Sequence, residues 1–152
     1  MNYESLIFDI DGTLWDSRAL VAEGFNIQLK KEGLPHLCVS AEQLKALFGK
    51  VMTEIADIML ESIPHPERYA LMERCMATEH DYLFENECKI GYPGVPETIR
   101  ELAKKYRLFI VSNSQCGYPE LCMDKLGLAP YIQGHMCFGD TGTSKGKTIR
   151  VL

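Results

Sequence analysis

Three short apolar runs, at residues 6–8, 108–111 and about 135–138, are set in a chain whose other segments repeat with helical period. One helical stretch, residues 118–126, separates the last two runs. Strand, helix, strand, helix, strand at such spacings predicts a parallel sheet with covering helices. The first interval is much longer. After Leu14 the pattern stays helical for about seventy residues, with Leu20, Val21, Phe25 and Leu29 behind a cap at Asp16 or Ser17. Gly33, Leu34 and Pro35 end that helix. Ser40 and Gln43 read as a capping box ahead of Leu44, Leu47 and Phe48. A third helix carries Ile55, Ile58, Met59 and Leu60, and a long fourth, about 67–84, carries Tyr69, Met72, Met76, Tyr82 and Leu83. The expected fold is therefore α/β: a Rossmann-like parallel-sheet core of residues 1–14 and 90–152, with an all-helical insert of residues 15–89 in its first crossover.

The first apolar run leads into Asp9-Ile10-Asp11-Gly12-Thr13-Leu14. Strand side chains repeat every two residues, so an extended chain would carry Asp9 and Asp11 on one side. Two such carboxylates repel each other and lose hydration unless they share a cation or a proton. A Mg²⁺ site built on Asp9 and Asp11 follows as the first expectation, with one carboxylate available as a nucleophile. Gly12 permits the sharp exit that brings Asp11 back toward the same place.

Composition narrows the classes. A hydrophobic content of 46% with 24% charged residues is ordinary for a soluble domain. A net charge of -5 leaves no basic footprint, so no nucleic-acid partner is expected. No apolar run approaches the roughly 18 residues of a membrane span, and no basic segment precedes residues 6–8. The six cysteines contain no C-x-x-C pair, and the four histidines are scattered, so the spacing predicts no zinc site. Reduced thiols in a cytoplasmic protein fit this pattern.

The run from Leu6 to Leu14 resembles the first signature of the haloacid dehalogenase superfamily, and the resemblance extends along the chain in the manner of its cap-bearing phosphatases, the phosphoglycolate phosphatase and beta-phosphoglucomutase type. It implies that Asp9 attacks phosphorus and forms an aspartyl-phosphate, while Asp11 protonates the leaving alcohol and later activates water. It also implies that the Asp9 side chain and the Asp11 backbone carbonyl hold Mg²⁺. Dehalogenases of the superfamily lack an acid at the second position, so Asp11 argues for phosphoryl transfer from a small phosphorylated metabolite. The insertion point of residues 15–89 matches the superfamily's helical cap, which closes over the active site.

Ligands of open parallel sheets sit beyond the carboxyl ends of the strands, which places Ser112 and Asn113, after the second run, beside Asp9. A small hydroxyl and the backbone amides that follow can donate to a phosphoryl oxygen, matching the superfamily's second signature. The third signature is a lysine. Lys145 and Lys147 are the candidates, and Lys145, at the start of the last helix, is the expected one. Asp140 imitates the fourth signature but precedes the lysine, so it is read as lying outside the site. The stretch from Gly142 to Thr148 is one residue short of a phosphate-binding P-loop, and nucleotide binding is not expected. In the insert, Lys50 lies where relatives carry a substrate-specificity loop.

The chain reaches Leu152 inside a helical pattern, residues 148–152, before any fourth signature. The resemblance therefore implies an incomplete core in which the strand leading to Asp9 is an edge. The expected function is Mg²⁺-dependent hydrolysis of phosphate monoesters by lineage, with a sugar-phosphate mutase or a non-catalytic assembly module as alternatives.

Overall fold

The computed structural model describes residues 3–87 and 89–152, so Cys88 lies outside the described residues. Two compact units form: Met1–Asp16 with Ile90–Leu152, and Ser17–Lys89.

The first unit is built on three parallel strands, β1 (Ser5–Phe8), β2 (Arg107–Ser112) and β3 (Gly134–Cys137), in the order β1-β2-β3. β2 is central, and its Leu108, Ile110 and Val111 are fully buried. Each such side chain contributes roughly 1.5–3 kcal/mol by leaving water. β1 lies at the edge of this sheet, and its Ile7 is 42% exposed, as an outward-facing strand position with no neighbour on one side should be. Phe8 pairs with Ile110, and Ser112 pairs with Cys137, so the residues that follow β1, β2 and β3 emerge at one end of the sheet.

The crossovers are α5 (Val95–Ala103) and α6 (Tyr118–Leu126), numbered after the four helices of the second unit. Pro96 and Pro119 occupy first-turn positions, where a missing N–H costs nothing. α6 stops at Gly127, whose φ of 65° is the left-handed conformation of a helix end. Two four-residue helices follow β3, α7 (Phe138–Thr141) and α8 (Lys145–Thr148). The helical pattern of residues 148–152 is not realised as an α-helix. Arg150 and Val151 donate three residues back, to Lys147 and Thr148, so the last turn tightens instead of propagating. At the junction with the insert, the two chain segments are laced together: the Asp16 N–H donates to the Ile90 carbonyl (2.8 Å) and the Tyr92 N–H to the Leu14 carbonyl (3.1 Å).

The second unit comprises α1 (Arg18–Lys31), α2 (Ala41–Lys45), α3 (Met52–Met59) and α4 (His65–Glu85). α2 opens with the expected capping box: the Gln43 N–H donates to Ser40 Oγ (3.2 Å), and Gln43 Oε1 accepts from the Ser40 N–H (2.8 Å). α1 lies along α4. A Cβ on Gly24 would come within 2.6 Å of Glu79 Cα, so the two backbones meet where the side chain is absent. Thr78 donates to Gln28 (2.8 Å), and Arg74 pairs with Glu32 (2.7 Å) and Glu67 (2.8 Å) along the same interface. Arg68 knots the turn between α3 and α4 by donating to the carbonyls of Leu60, Glu61 and Ile63 and to Asp57. Lys50, in the loop between α2 and α3, is exposed.

Candidate active site

β1 ends at Phe8, earlier than strand alternation through Asp11 requires. Backbone hydrogen bonds explain why: the Ile10 carbonyl accepts from the Thr13 (3.1 Å) and Leu14 (2.8 Å) amides, turning the chain at once. Gly12, with φ 76°, completes the turn and donates to the Trp15 carbonyl (2.9 Å). Asp9 and Asp11 thus flank the fully buried Ile10 on a turn rather than sharing a strand face. Ile10, Leu14 and Trp15 are all buried and anchor this turn in the core.

The two carboxylates have different surroundings. Asp9 Oδ1 accepts from the Ile10 N–H (2.8 Å) and pairs with Lys145 Nζ at 2.7 Å; both side chains remain partly exposed, 40% and 28%. Asp11 Oδ1 accepts from the Trp15 indole N–H (3.0 Å) and the Tyr118 hydroxyl (2.7 Å). The two aromatic rings brace each other edge to face, with centroids 5.4 Å apart. Neither donor is marked out by the sequence pattern. An aromatic residue in a hydrophobic pattern reads as core, and Trp15 and Tyr118 are indeed buried; only the reach of their polar tips distinguishes them.

The short helix that carries Lys145 is held by a cluster of hydroxyls. Buried Thr148, on the same short helix, pairs with Thr141 (2.9 Å) and contacts Thr143 (3.4 Å), and its hydroxyl donates to the Ser144 carbonyl (3.3 Å). These bonds fix α8 against the α7 turn and aim Lys145 at Asp9. They also occupy the threonine that a P-loop would offer to a metal. Lys147, two residues further on, is exposed.

Ser112 ends β2 and is buried; its Oγ accepts from the Ser114 N–H (3.2 Å), curling the loop and leaving its own proton available to donate. Asn113 is half-buried in that loop. Ser114 is buried too, and its Oγ has no hydrogen-bond partner among the described residues. Asp140 is engaged by the two cysteines. Its Oδ2 accepts from the Cys137 N–H (2.8 Å) and thiol (3.1 Å), and its Oδ1 from the Cys116 thiol (3.4 Å). Burial pushes the Asp140 carboxyl up, but the bonds from Cys137 and Cys116 outweigh it and hold the group below the usual carboxylate range. Burial first, then the Asp140 bond, pushes the Cys137 thiol up to about 12. The Asp140 bond, with a smaller push from burial, raises Cys116.

A parallel sheet with an acidic turn after its first strand, and a lysine brought onto that turn from the last helix, makes an α/β core with a helical insert. The model of the haloacid dehalogenase-like hydrolases matches residues 6–151, and the chain belongs to that family. No curated protein matches it by sequence. Among solved structures, it is similar to a predicted phosphatase from Clostridium acetobutylicum, at 17% identity and TM-score 0.78, covering 99% of this chain and 69% of that one. A predicted phosphoglycolate phosphatase from Haemophilus somnus is similar at 23% identity and TM-score 0.72, over 91% of this chain and 64% of that one. A haloacid dehalogenase hydrolase from Bacillus subtilis, bound to magnesium, is similar at 17% identity and TM-score 0.65, over 98% and 73%. The chain therefore spans about two thirds of the length of these structures. Among the described residues, no helix is long and apolar enough to cross a membrane.

Proposed function

We propose that the Asp9 turn is a phosphoryl-transfer site and that the substrate is a small phosphate monoester. The observation that carries this reading is the 2.7 Å pair between Lys145 and Asp9. The ammonium orients the carboxylate that would act as nucleophile and adds positive charge where phosphoryl oxygens would gather. Asp9 attacks phosphorus, a P–O bond forms to its carboxylate, and the ester P–O bond breaks as the leaving oxygen takes a proton from Asp11. Asp11, now a carboxylate, takes a proton from water; the water oxygen bonds to phosphorus and the Asp9–phosphorus bond breaks. Trp15 and Tyr118 both donate to Asp11 Oδ1 and so fix the carboxyl group that makes both proton transfers. Ser112 and the amides of the Asn113 loop serve as donors to the phosphoryl oxygens.

The donor set fits a hard divalent cation. Asp9 engages Lys145 and Ile10 through the same oxygen, Oδ1, and a carboxylate with a backbone carbonyl is an all-oxygen set of the kind Mg²⁺ takes. The Asp9 carboxylate and the Asp11 backbone carbonyl would hold Mg²⁺, which supplies charge neutralisation to the phosphoryl group. The magnesium-bound hydrolase among the similar structures supports this choice of ion, and the predicted phosphoglycolate phosphatase supports a small phosphorylated substrate. Lys50, exposed on the insert, is proposed to meet an anionic group of the substrate.

Phosphate release from an aryl phosphate, with and without Mg²⁺, tests the reading. Release that requires Mg²⁺ and disappears in Asp9→Asn supports it; Mg²⁺-dependent release that survives in Asp9→Asn overturns it.

A further inference from the structure

Cys116, Cys137 and Asp140 present their ligand atoms within 4.8 Å of one another, and nothing in the phosphoryl-transfer reading uses them. They come from two segments far apart in sequence: Cys116 from the loop after β2, Cys137 and Asp140 from the end of β3 and the first turn of α7. The pairing of Ser112 with Cys137 brings those segments side by side. Gly139 then lets them close. Its N–H donates to the Ser114 carbonyl (3.1 Å), and a Cβ there would lie 2.5 Å from the Cys116 nitrogen and 2.8 Å from its sulfur. The Cys137 N–H fixes the Asp140 carboxylate (2.8 Å), and the two thiols converge on its two oxygens, at 3.1 and 3.4 Å.

We infer that Cys116, Cys137 and Asp140 form a three-ligand site for a thiophilic divalent cation, Zn²⁺ in preference to Mg²⁺. Two sulfurs and a carboxylate suit a borderline-soft ion, whereas the Asp9 turn offers oxygen alone. Around a tetrahedral Zn²⁺, donor atoms stand about 3.5–3.8 Å apart, so the observed sulfur–oxygen contacts need open by only a few tenths of an ångström as the cation displaces the thiol protons. Cys137 is buried, while Cys116 and Asp140 are exposed, so the ion has a path in and water completes its shell. Linear spacing concealed this site because the two cysteines meet only through strand register.

Titration of the phosphine-reduced chain with Co²⁺, in excess Mg²⁺, reads the site directly. A cobalt–thiolate charge-transfer band reports sulfur ligation and is silent to binding at oxygen ligands. The expected result is one Co²⁺ per chain, released by one equivalent of Zn²⁺. Cys116→Ala, at an exposed position, is expected to weaken Co²⁺ at least tenfold and to halve the band, and Asp140→Asn to weaken it with the band retained. Cys38→Ala is expected to match the parent, with far-ultraviolet circular dichroism confirming that each variant is folded. No thiolate band in the parent, or a band unchanged by Cys116→Ala, overturns the inference.

Discussion

Lys145 Nζ stands 2.7 Å from Asp9 Oδ1, joining the last helix of the chain to the turn that follows its first strand. The lysine opens a four-residue helix and the aspartate sits on the turn after β1. Thr148 and Thr141 fix the short helix that carries the lysine, and buried Ile10 fixes the turn that carries the aspartate.

Exchange of the two lysines of α8 separates the paired one from the exposed one. Lys145→Ala is expected to lower kcat/KM for an aryl phosphate by about 10²–10³-fold, the usual cost of removing a preorganised charge stabiliser. Lys147→Ala should stay within about twofold of the parent, as an exposed side chain away from the reacting atoms does. Steady-state kinetics on both variants checks this.

The Tyr118 and Trp15 donors to Asp11 are separable by removing one hydroxyl: Tyr118→Phe deletes the 2.7 Å bond to Asp11 and keeps the ring against Trp15. Loss of one such charge-assisted bond is worth about 1.5–3 kcal/mol, so kcat should fall about tenfold or more with KM little changed. Initial-rate kinetics across substrate concentration gives the split.

Gly24→Ala tests the contact between α1 and α4. Alanine improves helix propensity by about 1 kcal/mol. Its methyl, however, would meet backbone at 2.6 Å from Glu79 Cα, which cannot rotate away. Overpacking of this kind costs about 1–3 kcal/mol, so the net change is expected to be destabilising. Denaturant unfolding followed by circular dichroism measures it.

Asp140 sets the reactivity of Cys116. A carboxylate that accepts the thiol's hydrogen bond favours the protonated form, which is the direction found for Cys116. Asp140→Asn removes the negative charge, lowers the thiol's pKa and raises the thiolate fraction near pH 8. Alkylation of Cys116 in the presence of a chelator should therefore speed up in Asp140→Asn, read by mass spectrometry of the cysteine peptides. Cys75, pushed up to about 12 chiefly by burial, should remain slow in both proteins.

The parts of the fold that were legible in the sequence are those governed by local pattern. The capping box at Ser40 and Gln43, the glycine closing α6 and the apolar run of β2 each follow from residues within a few positions. The approach of Lys145 to Asp9 agrees with its place at the start of the last helix, the position that the resemblance to the family's third signature singled out. The Asp11 cradle was not legible: Tyr118 lies 107 positions from Asp11, and an aromatic ring at a helix start looks like core until its hydroxyl finds a partner. The turn at Asp11 was not legible because alternation carries no information about the Ile10 carbonyl, which accepts from the Thr13, Leu14 and Trp15 amides and so bends the chain. The approach of Cys116 to Cys137 depends on the register of β2 with β3 and on the missing side chain of Gly139.

The most direct test of the account is chemical identification of the nucleophile. The chain, mixed with Mg²⁺ and an aryl phosphate and quenched in acid within a turnover, should yield a peptide spanning Asp9 that carries one added phosphoryl group, lost on treatment with hydroxylamine and absent from Asp9→Asn. Steady release of phosphate with no phosphoryl group on that peptide, under conditions where a known aspartyl-phosphate survives the quench, would contradict it.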